Sequence, residues 1–286
     1  MLRLVIGCAL CLSLAMPVEA SAQGFTFGPA SLGRVKRSGD PPEVLFTRAE
    51  LMIKRGAFDR AILVLNELRN FHRDDPLSVD AQLLLADVRF KKGDLEEARY
   101  AYEEFATYHP RHPAMDHVSY HIGLCIWKRA PRLAGRDQAR VRSAVNAWTG
   151  FSDRFPDSIY RPEVESRLEK GRNRLAASEI HVARFYAKRD GWAAVRGRAT
   201  YLLRRWPRSR YSEEALAWLA TSNHRIGRVD DAQQAQQRLL ESFPDTAWAN
   251  RVAAVLSEPP GSPPEEERFV RPYRMSGFNP SQMPPQ

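Results

Sequence analysis

The residues in this chain best able to do chemistry crowd one stretch: His109, His112, His117, His121 and Cys125. His117, His121 and Cys125 are spaced four apart, so a single helix would carry all three on one face, and imidazole and thiolate are zinc ligands. Two features argue against a metal. His109 and His112 flank turn prolines, Pro110 and Pro113, and no His-Glu-x-x-His motif sets a general base beside paired ligands. Gly-x-Ser-x-Gly and a phosphate-binding glycine loop are missing too, as is Cys-x-x-Cys beyond residue 22. Catalysis needs convergent, perturbed groups in a concave pocket, and nothing in the sequence nominates one. The expectation is a binding protein, with no catalytic residue, no cofactor and no physiological metal.

Arginine is the second chemical signal. The chain has 43 lysines and arginines against 34 acidic residues, a net charge of +9. Arg196, Arg198, Arg204, Arg205, Arg208 and Arg210 form one cluster, and Arg167, Lys170, Arg172 and Arg174 form another just before it. Any one of these reads as well as part of a solvated helix face. Taken together they read equally as an interface with an acidic surface or anionic headgroups. No recognition helix or aromatic stacking motif accompanies them, so nucleic acid is not an expected partner.

The elements that position these residues follow from a repeat. Gly93-Asp94-Leu95-Glu96-Glu97-Ala98 leads through Tyr102 and Phe105 to Pro110. Gly227-Arg228-Val229-Asp230-Asp231-Ala232 leads with the same spacing through Gln236 and Leu239 to Pro244. Gly56 to Ala61, with Leu65 and Leu68, begins the same pattern. This is the second half of a tetratricopeptide repeat. Glycine makes the left-handed turn between antiparallel helices. Alanine lets helix B approach helix A, and proline ends helix B. Leu85-Ala86 and Leu219-Ala220 hold one offset before their glycines, as small helix A positions should.

Two degenerate copies complete the array. Ile122-Gly123 and Ile126 belong to a helix A, and Ala144, Trp148, Phe151 and Pro156 to its helix B, with Arg129 to Arg140 inserted between. Ala183 and Tyr186 lead through Asp190-Gly191-Trp192 to Val195, Ala199, Leu202 and Pro207. That helix A is long, because Pro162 to Lys188 has helical periodicity interrupted only by Gly171. The predicted fold is all-α: a tetratricopeptide-repeat solenoid of about five helix-turn-helix repeats over residues 43–256.

The ends differ from the array. Residues 1–22 read as a signal peptide: Arg3, an apolar run from Leu4 to Met16, then Ala20-Ser21-Ala22, with cleavage after Ala22. The run is too short to span a bilayer. Lipidation at Cys8 or Cys11 is the alternative, but neither cysteine has both a full apolar core before it and a polar tether after it. Cleavage leaves Cys125 alone, so no intramolecular disulfide is expected. Residues 23–42 read as a linker and 257–286 as a disordered, proline-rich tail. Phe269, Tyr273 and Phe278 in that tail are either incidental aromatics or a short motif that orders on a partner.

With the repeats placed, particular stretches resemble the BamD family, the tetratricopeptide subunit of the outer-membrane β-barrel assembly machinery. His112-Pro113-Ala114-Met115-Asp116-His117-Val118-Ser119-Tyr120 with Gly123-Leu124 is similar to the family's third-repeat opening. Phe155-Pro156-Asp157-Ser158-Ile159-Tyr160, Arg167-Leu168 and Arg174-Leu175-Ala176 continue the likeness. Glu179, Val182-Ala183, Phe185-Tyr186, Arg189 and Gly191-Trp192 to Val195 resemble its fourth repeat. The resemblance covers roughly Val44 to Asp245.

It implies a periplasmic scaffold at the inner face of the outer membrane. The C-terminal repeats would hold the barrel-inserting, BamA-like subunit, and the N-terminal repeats would meet unfolded outer-membrane proteins, with other assembly lipoproteins as further partners. One arginine after the fourth-repeat turn carries much of the subunit contact in the family, and by position that is Arg198. Arg196, Trp192 and Arg174 complete the candidate partner-binding set. The alternative is a periplasmic adaptor of another envelope system, of the Tol-Pal coordination type. That family usually carries an N-terminal coiled coil, and no heptads precede Glu43 here.

Overall fold

A computed structural model describes residues 38–262. The expected signal peptide with its cleavage point, Cys8, Cys11, residues 23–37 of the expected linker and residues 263–286 of the expected tail lie outside the described residues. The described residues form helices and no strand. The helices pair in chain order: α1 (Pro42–Lys54) with α2 (Phe58–Phe71), α3 (Leu77–Lys92) with α4 (Leu95–Tyr108), and α5 (Met115–Lys128) with α6 (Ala139–Trp148) and the short α7 (Phe151–Arg154). Then come α8 (Arg161–Ala187) with α9 (Trp192–Arg205), and α10 (Ser212–Arg225) with α11 (Val229–Ser242). A last helix, α12 (Ala249–Leu256), packs on α10 and α11 and caps the stack. Apart from α7, each helix from α1 to α11 packs chiefly on its neighbours in sequence, the one-dimensional stacking of a solenoid.

The repeat residues do what their chemistry predicts. Gly56, Gly93 and Gly227 take φ of 72°, 97° and 75° in the turns between paired helices, a region that a Cβ disfavours. Ala61, Ala98, Ala144, Ala199 and Ala232, one per helix B, are all fully buried. Their partners on the A helices are small as well: Ala49, Ala86, Ala183 and Ala220 are fully buried, and Gly123 meets the Trp148 indole. Helix axes approach closely only where no bulky side chain stands between them.

Two local details differ from the sequence reading. The third helix B is not continuous. Thr149 is extended and Gly150 turns left-handed at φ 73°, separating α6 from α7, so that Trp148 and Phe151 both reach the core. In the fourth turn Asp190, not Gly191, is left-handed, at φ 54°. Gly191 has an ordinary φ of −77°, and a Cβ there would lie 3.2 Å from the Tyr186 ring. Aspartate tolerates the left-handed region better than most residues, while glycine serves the close approach.

The 27-residue α8 is about 40 Å long at 1.5 Å per residue. It packs on α6 and also on α9 and α10, which joins the third repeat to the last two. Gly171 permits this: a Cβ there would come 2.5 Å from Val145 and 3.3 Å from Trp127. The largest core cluster gathers at this junction, around Trp148, Phe151, Leu168, Leu175, Ile180 and Leu202. Burying one such indole or phenyl ring contributes several kcal/mol, and truncation to alanine costs about 3–5 kcal/mol.

Candidate functional site

The histidines form a seam between repeats. His117 Nε2 lies 2.7 Å from Asp87 Oδ1 on α3, and its Nδ1 lies 2.8 Å from the Tyr160 hydroxyl. A carboxylate only accepts, so Nε2 is the ring nitrogen that carries a proton toward Asp87. Tyr102 O–H donates to the same Asp87 oxygen at 2.5 Å. Burial pushes the Asp87 carboxyl up, but the His117 hydrogen bond and charge, with the Tyr102 bond, outweigh it and hold it below the ordinary value. His121 donates from Nδ1 to the His117 carbonyl at 2.9 Å and stacks on Tyr102. Burial, reinforced by the charge of His117, lowers its pKa.

Cys125 is fully buried among Ala98, Phe105 and Val118, and burial pushes its thiol up to about 12. Helical spacing does place these three side chains along one helix: the His117 and His121 rings lie side by side, centroids 4.1 Å apart, whereas Cys125 packs into that apolar cluster. Among the described residues no three His, Cys, Asp or Glu side chains group as metal ligands.

The candidate partner-binding residues divide into two neighbourhoods. Trp192 opens α9, and the Arg225 guanidinium at the end of α10 lies 5.9 Å from its ring. One turn on, Arg196 donates from Nε to Asn223 Oδ1 at 3.1 Å. Arg198 donates from Nη1 to Glu179 Oε2 on α8, also at 3.1 Å. The Arg198 side chain is 46% exposed and that of Glu179 only 12%, so a largely buried carboxylate holds a guanidinium whose other donors remain available. Arg198 is therefore not the freely solvated side chain that its position on a basic helix suggests.

Arg174 lies elsewhere. Its guanidinium stacks 4.7 Å from the Trp127 ring and donates to the Pro131 carbonyl at 3.0 Å, pinning the third-repeat insertion against α8. The buried Gln138 amide closes that insertion by donating to the Leu133 and Arg136 carbonyls.

Sequence reasoning missed the polar ties that orient this region. Glu179 and Asn223 carry no signal by spacing, since each finds its arginine on a different helix. The same holds for Glu214, which accepts Arg184 through two parallel bonds at 2.7 and 2.6 Å and the Trp218 indole N–H at 2.9 Å.

Known proteins match this chain along the array. The family model of the outer membrane lipoprotein YfiO matches residues 38–239. The outer membrane protein assembly factor BamD of Xylella fastidiosa is 27% identical over 221 residues, 73% of this chain and 75% of that protein. That of Neisseria meningitidis is 28% identical over 215 residues, 72% and 80% of the two chains. Among solved structures, the TPR2AB domain of yeast Sti1 superposes with a TM-score of 0.38 at 14% identity, over 75% of this chain and 82% of that one. The adaptor of another envelope system is not favoured by these matches. With the match running from the first repeat into the last, the chain belongs to the YfiO outer membrane lipoprotein family, the family of the BamD assembly factors.

Proposed function

We propose that this protein is an outer membrane protein assembly factor, a binding scaffold rather than a catalyst, working on the periplasmic side of the outer membrane. The observation that carries this reading is the family match over residues 38–239, together with the naming of the relatives for that role. Its partner of first rank is the barrel-inserting subunit, held along α9 by Arg198 on the edge that meets α8 and by Trp192 and Arg196 on the edge that meets α10. Unfolded outer-membrane proteins and other assembly lipoproteins are further partners of the array. Arg174 serves this surface indirectly, by holding the insertion in place.

Geometry favours Arg198 as the anchor. A guanidinium has five N–H donors. One goes to Glu179, which fixes the side chain and lowers the entropy lost on docking. The outer edge can then grip a partner carboxylate through two parallel bonds, which lysine cannot reproduce.

The test is capture of the purified barrel-inserting subunit. Arg198→Ala is made in a Glu179→Gln background, so that no carboxylate is orphaned, and compared with Glu179→Gln alone. An anchor at an interface centre costs about 2 kcal/mol when truncated, roughly thirtyfold in affinity. Arg210→Ala is the charge-matched control, since the exposed Arg210 side chain touches only the adjacent Tyr211 and the backbone bond to Asn173 survives the substitution. Equal weakening by both, abolished by salt, would reduce the patch to diffuse steering. Unchanged capture by the Arg198 variant would remove Arg198 from the interface.

A further inference from the structure

The α8–α9 seam carries an unmatched pair of arginines two turns from the Glu179–Arg198 bridge. The two helices run antiparallel, so moving seven residues back along α8 and seven forward along α9 keeps the same partners opposite each other. Where the first level sets Glu179 against Arg198, the second sets Arg172 against Arg205. Both line one groove of about 480 Å³, together with Trp206, Val145 and Arg208.

Arg172, Arg205 and Arg208 make no ion pair among the described residues, unlike Arg161, Arg167, Arg184 and Arg198 on the same two helices. Glu169 also lines the groove, and no ion pair joins it to any of the three. The walls are fixed. The Trp206 carbonyl accepts the Ser209 N–H at 3.0 Å and the Ser212 hydroxyl at 3.3 Å, while Arg210 N–H donates to Asn173 on α8 at 3.0 Å.

We propose that this groove is a second docking site, which takes an acidic peptide segment of a partner protein with an apolar side chain seated over Trp206. Like charges facing each other across a helix seam are destabilising unless an anion lies between them. Guanidinium forks select carboxylates in fixed directions. The volume lies in the range of ligand pockets and accommodates a few side chains. A flat basic patch is what suits an anionic bilayer surface, whereas these arginines line a groove together with Trp206 and Val145. The proposal does not depend on Arg198 being an anchor for the barrel-inserting subunit.

The probe is a fluorescein-labelled acetyl-EEFEE-amide peptide, titrated onto the purified protein and followed by anisotropy. Saturable binding that falls with salt is expected, weakened about tenfold or more by Arg172→Gln with Arg205→Gln. Arg111→Gln, which removes an exposed charge in another turn, should leave affinity within about twofold. The site is overturned by equal weakening in the Arg111 control, or by no binding at all. It is also overturned if vesicles containing phosphatidylglycerol bind through Arg172 and Arg205 while the peptide does not. Neutralising Glu265, Glu266 and Glu267 to glutamine tests the chain's own tail as occupant: a tenfold gain in peptide affinity would assign the groove to the tail and refute a partner in trans. Circular dichroism melts of every variant confirm that the helices remain.

Discussion

Replacing Gly123 by alanine adds one methyl group to α5, at a point where the structure leaves no room for it. The new Cβ would lie 2.3 Å from two atoms of the Trp148 indole and 2.8 Å from a third. Ordinary carbon contacts are about 3.5–4.0 Å, so the ring must move by more than about an ångström. Trp148 is fully buried, and its Nε1–H donates to the Tyr120 carbonyl at 3.1 Å. Overpacking costs about 1–3 kcal/mol, and straining that buried bond adds about 1 kcal/mol. Alanine returns about 0.8–1 kcal/mol of helix propensity. The net is about 2 kcal/mol of destabilisation, or about 4–8 °C in Tm for an array of this size. Gly197 is the internal control: it too sits inside a helix, yet a Cβ there meets nothing within 4 Å. Gly197→Ala should raise Tm by about 2–3 °C through propensity alone. Thermal melts followed by circular dichroism read both. A Gly123→Ala protein that melts at or above wild type would refute the packing argument, as would shifts of the same sign at the two glycines. In Gly123→Ala with Trp148→Phe, the smaller ring should make the combined loss less than the sum of the single losses.

Arg184→Ala leaves the Glu214 carboxylate, whose side chain is only 10% exposed, without its bidentate partner. Arg184 itself is half-exposed, so the loss falls between surface and buried pairs, about 1–2 kcal/mol, and Glu214→Gln in the same chain should recover most of it. His121 is held neutral by burial and by the charge of His117, with Asp87 opposing and Lys128 adding to the effect. Its folded pKa lies below the ordinary 6.5, so the unfolded chain takes the proton first and stability falls as pH drops below about 6.5. The depressed Asp87 carboxyl adds a second loss below about pH 4. His121→Gln should flatten the Tm profile between pH 7 and 5 while leaving the lower limb; an unchanged slope would show that His121 does not carry it.

Much of the architecture was legible in the sequence because it is built from local rules repeated along the chain. A glycine turn, an alanine where two helices cross and a proline after helix B each act within one repeat. Their spacing therefore revealed five repeats, and even the long fourth helix A. The cluster of arginines around Arg198 was legible in the same way, as composition on consecutive turns.

What the sequence could not reveal depends on which helix faces which, and in what register. His117 finds Asp87 on α3 and Tyr160 before α8, so it ties three stretches of the array together, which its spacing could not reveal. Gly171 looks like a weak point in a long helix until Val145 and Trp127 press against it. The Asp190-Gly191 turn assigns its left-handed residue to the aspartate, because the Tyr186 ring needs the glycine beside it. Arg198 meets a carboxylate across the α8–α9 seam, while Arg205, two turns on, meets the level of Arg172. Backbone conformation is decided by neighbours in sequence, but the partner of a charge is decided by neighbours in space. In this solenoid those neighbours lie on helices whose register only the packed array sets.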